Sequence, residues 1–177
     1  MNKRTKNTPK YRQEIINQII NFFWTFLCFA PVLWFWVNEG INPYLYSFLS
    51  ISLLVVILPK RILDILMFGS TKKFYEKLGV KYIVKFVQNG SIVKNLTNKQ
   101  GYVIINGKSQ ARQYLKTISM YERFHWICLL FFTLTTTYCL FHGHFRTGGV
   151  ITVSSIFYNL CPILLQQYNK IRIRKIC

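Results

Sequence analysis

The sequence contains very few acidic residues: its 177 residues include 5 Asp and Glu against 23 Lys and Arg, which gives a formal net charge of +18. Charged residues of both signs make up 16% of the chain, against roughly 25% in ordinary soluble domains. With 51% apolar residues, a soluble fold would have too few charges to cover its surface, and a disordered basic tail would be less apolar. The low proportion of charged residues therefore indicates a protein embedded in the lipid bilayer.

Several kinds of site and partner lack their sequence signals as well. The 5 cysteines include no Cys-x-x-Cys pair and mostly lie in long apolar runs, so we expect packing thiols rather than disulfides or metal ligands. No spacing typical of a zinc finger, an RNP motif or a helix-turn-helix is present, and the basic residues flank apolar runs, as in a surface facing anionic lipid headgroups. We therefore expect the lipid bilayer as a partner, and neither nucleic acid nor a metal ion.

Four runs without charged residues determine the predicted fold class, and they cover residues 15–38, 40–59, 124–145 and 147–169. A spanning helix needs roughly 20 mostly apolar residues. The runs therefore predict an all-α polytopic membrane protein that forms a single membrane domain over residues 1–177. Its four transmembrane helices are expected at about 16–37, 44–59, 125–142 and 148–167, with a basic segment, 60–124, between the second and third.

The distribution of basic residues predicts the orientation. Of the 23 Lys and Arg, 22 lie in the N-terminal arm, the 60–124 segment and the C-terminal tail, whereas the other two loops hold only Arg146. Basic residues accumulate on the cytoplasmic side of membrane proteins. Both termini and the 60–124 segment are therefore predicted to be cytoplasmic, in a multi-pass protein of the cytoplasmic membrane.

The 60–124 segment shows three local patterns. Residues 62–78 pair an apolar start with a basic, aromatic finish, which predicts an interfacial helix ended by Gly79. Two β-prone stretches follow, Tyr82–Val87 and Tyr102–Ile105, each near an Asn-Gly turn signal. From Ser109 a helical pattern continues into the third span.

Polar side chains at membrane depth are the main candidates for a functional site. Glu122 and His125 lie one helical turn apart at the cytoplasmic start of the third span, and Asn159, Gln166 and Asn169 form a stripe along the fourth. If these helices are antiparallel neighbours, the two groups can meet at the cytoplasmic side.

The chemistry of these groups suits acyl transfer from a cytoplasmic thioester to a membrane-embedded alcohol. His125 can act as a general base near neutral pH, and Glu122 can fix its tautomer. An amide from Gln166 or Asn159 can stabilise the oxyanion. Asn159 lies about 16 Å along the helix from Lys170, so Gln166 is expected to match the depth of His125 better. The basic tail, with Arg172, Arg174 and Lys175, could hold the phosphates of a coenzyme thioester.

Two other interpretations remain open. In the first, the protein is a non-catalytic subunit or scaffold in which Glu122 pairs with Arg123 and the amides of the fourth span fix helix packing. In the second, it is a transporter or metal-handling protein that uses His142 and His144. That pair is on the outer side with no carboxylate or cysteine expected nearby, which favours two loop histidines without a metal.

Three short motifs resemble one known family, and they occur in the same order over residues 70–174. They are Tyr75–Lys81 (YEKLGVK), Tyr121–Trp126 (YERFHW) and Asn159–Arg172 (NLCPILLQQYNKIR). The chain resembles the glycosyl-4,4'-diaponeurosporenoate acyltransferases, small bacterial membrane enzymes that close the staphyloxanthin carotenoid pathway.

The resemblance implies transfer of a fatty acyl group to a sugar hydroxyl of a glycosylated carotenoid or related glycolipid, at the cytoplasmic membrane of a bacterium. The donor would be acyl-CoA or an acyl-carrier-protein thioester, with no other cofactor, and the oligomeric state stays open. Gln167 and Lys170 stand where the family pattern has Arg. By matching positions, the residues lining the site would be Glu76, Glu122, His125, Asn159, Gln166, Tyr168 and Asn169. The basic residues Lys170, Arg172 and Arg174 complete the predicted substrate-binding set.

Overall fold

The computed structural model describes residues 8–87 and 107–176, with side chains from residue 11 onward. Within these ranges every regular element is helical, in agreement with the predicted all-α class. The helices are Thr8–Glu39 (α1), Pro43–Leu53 (α2), Lys60–Ile65 (α3), Lys72–Lys77 (α4), Val80–Phe86 (α5), Lys108–Phe141 (α6), Phe145–Ser155 (α7) and Cys161–Arg174 (α8). A 3₁₀ turn, Leu54–Ile57, follows α2, and a π turn, Ile156–Leu160, joins α7 to α8.

Three helical segments are long and apolar enough to cross a membrane: Tyr11–Glu39, Lys108–Phe141 and Phe145–Arg174. They coincide with the first, third and fourth predicted spans and indicate a membrane protein. The second predicted span is a shorter apolar helix, Pro43–Ile57. It rises about 22 Å, short of the roughly 30 Å hydrocarbon core, and Pro59 interrupts it because proline supplies no backbone donor. The predicted count of four spans is therefore not confirmed.

The short helix α2 runs antiparallel to α6 over the same length of the bundle. At its start Asn42 caps it, with Oδ1 accepting from the N–H of Leu45 at 3.1 Å, and the ring of Tyr44 lies 5.1 Å from that of Tyr138. After its end, Nη2 of Arg123 donates to the carbonyl of Leu58 at 2.9 Å. The chain thus passes from the Tyr138 end of the bundle to the Arg123 end.

The apolar core occupies the Tyr138 end. It joins α1, α6 and α7 through the buried residues Val32, Phe35, Trp36, Phe132, Tyr138, Cys139 and Ile151. The four cysteines that the structure describes, Cys28, Cys128, Cys139 and Cys161, are free thiols. The opposite end of the bundle carries the polar residues that the next subsection describes.

The segment between α2 and α6 differs from its prediction. The single helix expected over 62–78 is divided into α3 and α4, although it ends at Gly79 as predicted, with φ +79. The strand predicted at Tyr82–Val87 is wrong, because these residues belong largely to α5. The apolar residues of this stretch recur at helical spacing (Val80, Ile83, Val84 and Val87), and they pack on α8. The predicted strand Tyr102–Ile105 lies outside the described residues. The helix predicted from Ser109 is confirmed in α6.

Candidate active site

A buried ion pair joins α6 to α8. Glu122 and Lys170 are 0% and 1% exposed, and Oε2 of Glu122 contacts Nζ of Lys170. The same ammonium lies 3.3 Å from Oδ1 of Asp64 on α3, and Arg174 approaches that oxygen at 2.6 Å. A charge without a partner is costly at the depth of Glu122 and Lys170, so these two depend on one another, and the more exposed Asp64 and Arg174 extend the pair toward the surface. We call these four side chains, together with Gln167, the ion-pair cluster.

Both the nitrogen and the oxygen of the Gln167 side-chain amide form hydrogen bonds in and beside this cluster. Its Nε2 donates to Oε1 of Glu122 at 3.0 Å and to the carbonyl of Leu66 at 3.3 Å. Its Oε1 accepts from the N–H of Phe68 at 3.1 Å and from the hydroxyl of Tyr75 at 3.0 Å. Gln167 therefore fastens the turn between α3 and α4 to the bundle.

Sequence reasoning missed three members of this region. It singled out Gln166, which is half-buried and makes no side-chain hydrogen bond to the described residues, and treated Gln167 only as a departure from a pattern. A signal was available, because Ile163, Gln167, Lys170 and Arg174 recur at helical spacing on one face of α8. Asp64 and Tyr75 carried no comparable signal, since they come from distant short helices.

Asp64 gives the ion-pair cluster a specific dependence on pH. Burial favours the neutral form of the carboxyl, but the hydrogen bond from Arg174 and the charge of Lys170 outweigh it and hold the pKa of Asp64 below its usual value. A carboxyl whose pKa is lowered by folding stabilises the folded state above its unfolded pKa, and this contribution is lost as the pH falls through the folded pKa.

We expect Asp64→Asn to remove part of the loss of stability that acid causes. Melting temperatures of the detergent-solubilised protein, measured from about pH 6 to about pH 3, should fall more steeply for the wild type than for Asp64→Asn. Glu14→Gln, which changes an exposed carboxyl on α1, is the control and should follow the wild type. Parallel curves for the wild type and Asp64→Asn would contradict this role.

Glu76 forms a second polar group beside the cluster. Its carboxylate pairs with Lys72 at 3.2 Å and with Lys81 at 3.4 Å, and it accepts from the hydroxyl of Tyr168 at 3.2 Å. The guanidinium of Arg172 lies 5.5 Å from the centroid of the Tyr168 ring. The structure thus brings together three of the predicted substrate-binding residues. A fourth, Asn169, is half-buried on the same helix.

His125 faces the π turn rather than Glu122. Its imidazole packs edge to face on Tyr158, with ring centroids 5.8 Å apart, and lies against the side chain of Asn159 and the main-chain carbonyl of Tyr158. Neither approach meets strict hydrogen-bond geometry: Nδ1 of His125 and Oδ1 of Asn159 are buried without a hydrogen-bond partner among the described residues. Nδ2 of Asn159 donates to Oγ of Ser155 at 3.2 Å, which leaves Oδ1 as the free atom.

This arrangement changes the predicted depths of the side chains on α6 relative to those on α8 and the π turn. Side chains tilt toward the N-terminus of their own helix, so Glu122 reaches toward the start of α6 while Gln167 reaches toward the start of α8. Because their tips meet, the Cα of Glu122 must lie deeper in the bundle than that of Gln167. His125, one turn further along α6, then comes level with Asn159.

The structure also separates Glu122 from its predicted partners. In the described part of the chain, no hydrogen bond joins Glu122 to His125 or to Arg123. The carboxylate is committed to Gln167 and Lys170. Arg123 instead donates to the carbonyls that follow α2. The predicted role of Glu122 in fixing the His125 tautomer therefore lacks a contact, whereas the side chain of Asn159 lies against the imidazole.

An open cavity of about 510 Å³ borders the ion-pair cluster. Asp64, Ser70, Arg174 and Lys175 give it a polar side, and Met67, Gly69 and Ile171 complete it. A volume of this size is within the range of small-ligand sites. The cationic ends of Arg174 and Lys175 suit a negatively charged group.

The loop histidines lie at the opposite end of the bundle. Nε2 of His144 is 3.8 Å from Oε2 of Glu39, and the His142 ring stacks on Tyr138 with centroids 3.9 Å apart. The expectation that this pair has no carboxylate nearby is therefore wrong. Within the ranges that the structure covers, no three His, Cys, Asp or Glu side chains converge on a possible metal position.

One comparison with known proteins identifies a family. The family model described as glycosyl-4,4'-diaponeurosporenoate acyltransferase matches residues 59–177, about two thirds of the chain. The matched region contains the ion-pair cluster, Glu76 and the His125 site. No curated protein and no solved structure shows significant similarity to the chain.

Proposed function

The chain belongs to the glycosyl-4,4'-diaponeurosporenoate acyltransferase family, and we propose that it transfers a fatty acyl group from a cytoplasmic thioester to a sugar hydroxyl of a glycosylated carotenoid or related glycolipid. The observation that carries this proposal is the pair formed by His125 and Asn159. The two side chains lie against one another, and in the described part of the chain Nδ1 of His125 and Oδ1 of Asn159 are both buried without a hydrogen-bond partner; such atoms in a folded protein call for an explanation. A catalytic base that completes its hydrogen bonds only when the substrate binds would explain them.

In the proposed reaction His125 removes the proton from the acceptor hydroxyl, and the oxygen attacks the thioester carbonyl. A carbon–oxygen bond forms, the carbon–sulfur bond breaks, and the protonated imidazole returns its proton to the leaving thiolate. Oδ1 of Asn159 accepts from the ring and holds the imidazole in one tautomer. Nδ2 of Asn159 is used by Ser155, and Gln166 lies about two helical turns along the chain from the level of His125, so neither amide is assigned as the donor to the oxyanion.

The donor is proposed to bind at the cavity beside the ion-pair cluster. Both coenzyme A and a carrier protein present a thioester on an arm that carries phosphate, and Arg174 and Lys175 line this cavity. Arg172 and the pair formed by Glu76 and Tyr168 would flank the donor. Lys170 is buried against Glu122, so we propose that it stabilises the packing of the helices beside the cavity and does not contact phosphate.

We further propose that the short helix Pro43–Ile57 also crosses the bilayer, which makes four spans in all. In this topology both termini and the 60–124 segment lie on the cytoplasmic side of a bacterial membrane. The support is that α2 runs alongside α6 from Tyr138 to Arg123. The basic residues also concentrate at the Arg123 end, as expected for the cytoplasmic side.

Lipid mass spectrometry of the host tests the reaction. Deleting the gene should remove one lipid species and leave its precursor, a glycolipid lighter by one acyl chain. Complementation with the wild-type gene should restore the heavier species, which identifies the acceptor in the same experiment. An unchanged lipid profile in cells that express the protein would favour the non-catalytic interpretation, in which the polar residues serve helix packing.

A further inference from the structure

Pro162 lies inside the long helical segment that carries Asn159. Proline has no N–H, and its ring clashes with the carbonyl four residues earlier, which here belongs to Tyr158. The helix responds with the π turn Ile156–Leu160, in which the N–H of Cys161 donates to the carbonyl of Ile156, five residues back. The carbonyl of Tyr158 is therefore left without the donor that an α-helix would supply.

The same π turn presents this carbonyl to His125. The imidazole lies against the carbonyl of Tyr158 and the side chain of Asn159 and packs on the Tyr158 ring. The hydroxyl of that ring is 3.0 Å from Oγ1 of Thr25, so α1 supports the turn from its other side. Two oxygens of one turn thus approach one imidazole, and π turns are frequent at functional sites.

We propose that Pro162 is a positioning residue for His125. By excluding the regular helical hydrogen bond, it keeps the Tyr158 carbonyl available and sets the rotation of Asn159, and the two oxygens hold the imidazole in its working orientation. This inference rests on the proposed role of His125 as the base. Pro162 itself touches no reacting atom.

A second proline shows that the π turn is not a general response to proline in this bundle. Pro31 lies inside α1, which remains an α-helix from Thr8 to Glu39. It precedes the buried Val32 of the core at the Tyr138 end. Pro31 is therefore a matched control, since Pro31→Ala also restores a helical N–H but does so away from His125.

The kinetic test compares Pro162→Ala with Pro31→Ala in purified protein. Alanine is the best helix former, so Pro162→Ala should melt at the same temperature as the wild type or higher. Its kcat should nevertheless fall about 10-fold or more, with KM changed less than about twofold, because a displacement of about 1 Å can cost up to about 100-fold in rate. Pro31→Ala should keep the wild-type kcat. A fully active, stable Pro162→Ala protein would overturn the inference.

A spectroscopic test does not depend on activity. In ¹⁵N-histidine NMR spectra of the detergent-solubilised wild type, with the His125 signal assigned by its loss in His125→Gln, we expect a slowly exchanging ring N–H. Pro162→Ala should lose this protection, and Pro31→Ala should keep it. A freely exchanging His125 ring in the wild type would overturn the inference even if the variants did not fold. A protected ring in a wild type that transfers no acyl group would instead contradict only the proposed function.

Discussion

Replacing His125 with alanine is expected to lower kcat for acyl transfer by about 10²–10⁴-fold, the usual contribution of a general base. The protein should stay folded, because Nδ1 of the half-buried imidazole makes no strict hydrogen bond to the described residues that its removal would break. The rate is measured with a radiolabelled acyl thioester and membranes that contain the acceptor found by mass spectrometry. Each variant is compared at equal protein concentration and with its melting temperature.

The control for this variant is His142→Ala, which removes the same side chain from the opposite end of the bundle. It should keep a wild-type kcat. The kcat of Asn159→Ala should lie between those of the two histidine variants, because this change removes the oxygen that orients the base but leaves the base in place. If His125→Ala retains its rate within about twofold of the wild type, against the loss expected for a base, His125 is not the base, although the family membership stands.

The long helices could be predicted from the sequence because one property, the absence of charge over some twenty residues, determines them. For the second span the predicted bounds, about 44–59, nearly coincide with the observed helix, but the charge-free run itself is longer than that helix. The run 40–59 begins with residues that form a turn and cap, Gly40 to Asn42, and ends at Pro59, so the helix it contains is Pro43–Ile57. A charge-free run therefore sets only an upper limit on the length of the helix inside it.

The sequence could nominate candidate side chains for the site, but not the contacts between them. His125, Glu122 and Asn159 were identified from their chemistry and depth, yet the partner chosen for His125 was Glu122 because the two are one turn apart. Which side chains meet across two helices depends on their tilt and on the π turn, and local spacing does not report either of them. The α3 and α4 contributions, Asp64 and Tyr75, required the tertiary fold.

The ion-pair cluster is expected to produce the largest effect on stability. Lys170→Met leaves the carboxylate of Glu122 buried without its cation, and breaking a buried pair in this way costs about 3–5 kcal/mol of the free energy of unfolding. Glu122→Gln should be similarly costly, because it leaves the Lys170 ammonium buried with only Asp64 opposite. Denaturation of the purified protein in detergent micelles, followed by circular dichroism, measures both values.

The double variant Glu122→Gln/Lys170→Met separates the charge of the pair from the packing of its side chains. It removes both buried charges together and leaves Asp64 paired with Arg174, so its loss should be clearly smaller than the sum of the single losses. The pair formed by the exposed Lys72 and the half-buried Glu76 is the control, and Lys72→Met should cost no more than about 1 kcal/mol. Additive losses at Glu122 and Lys170 would mean that the two charges do not depend on one another.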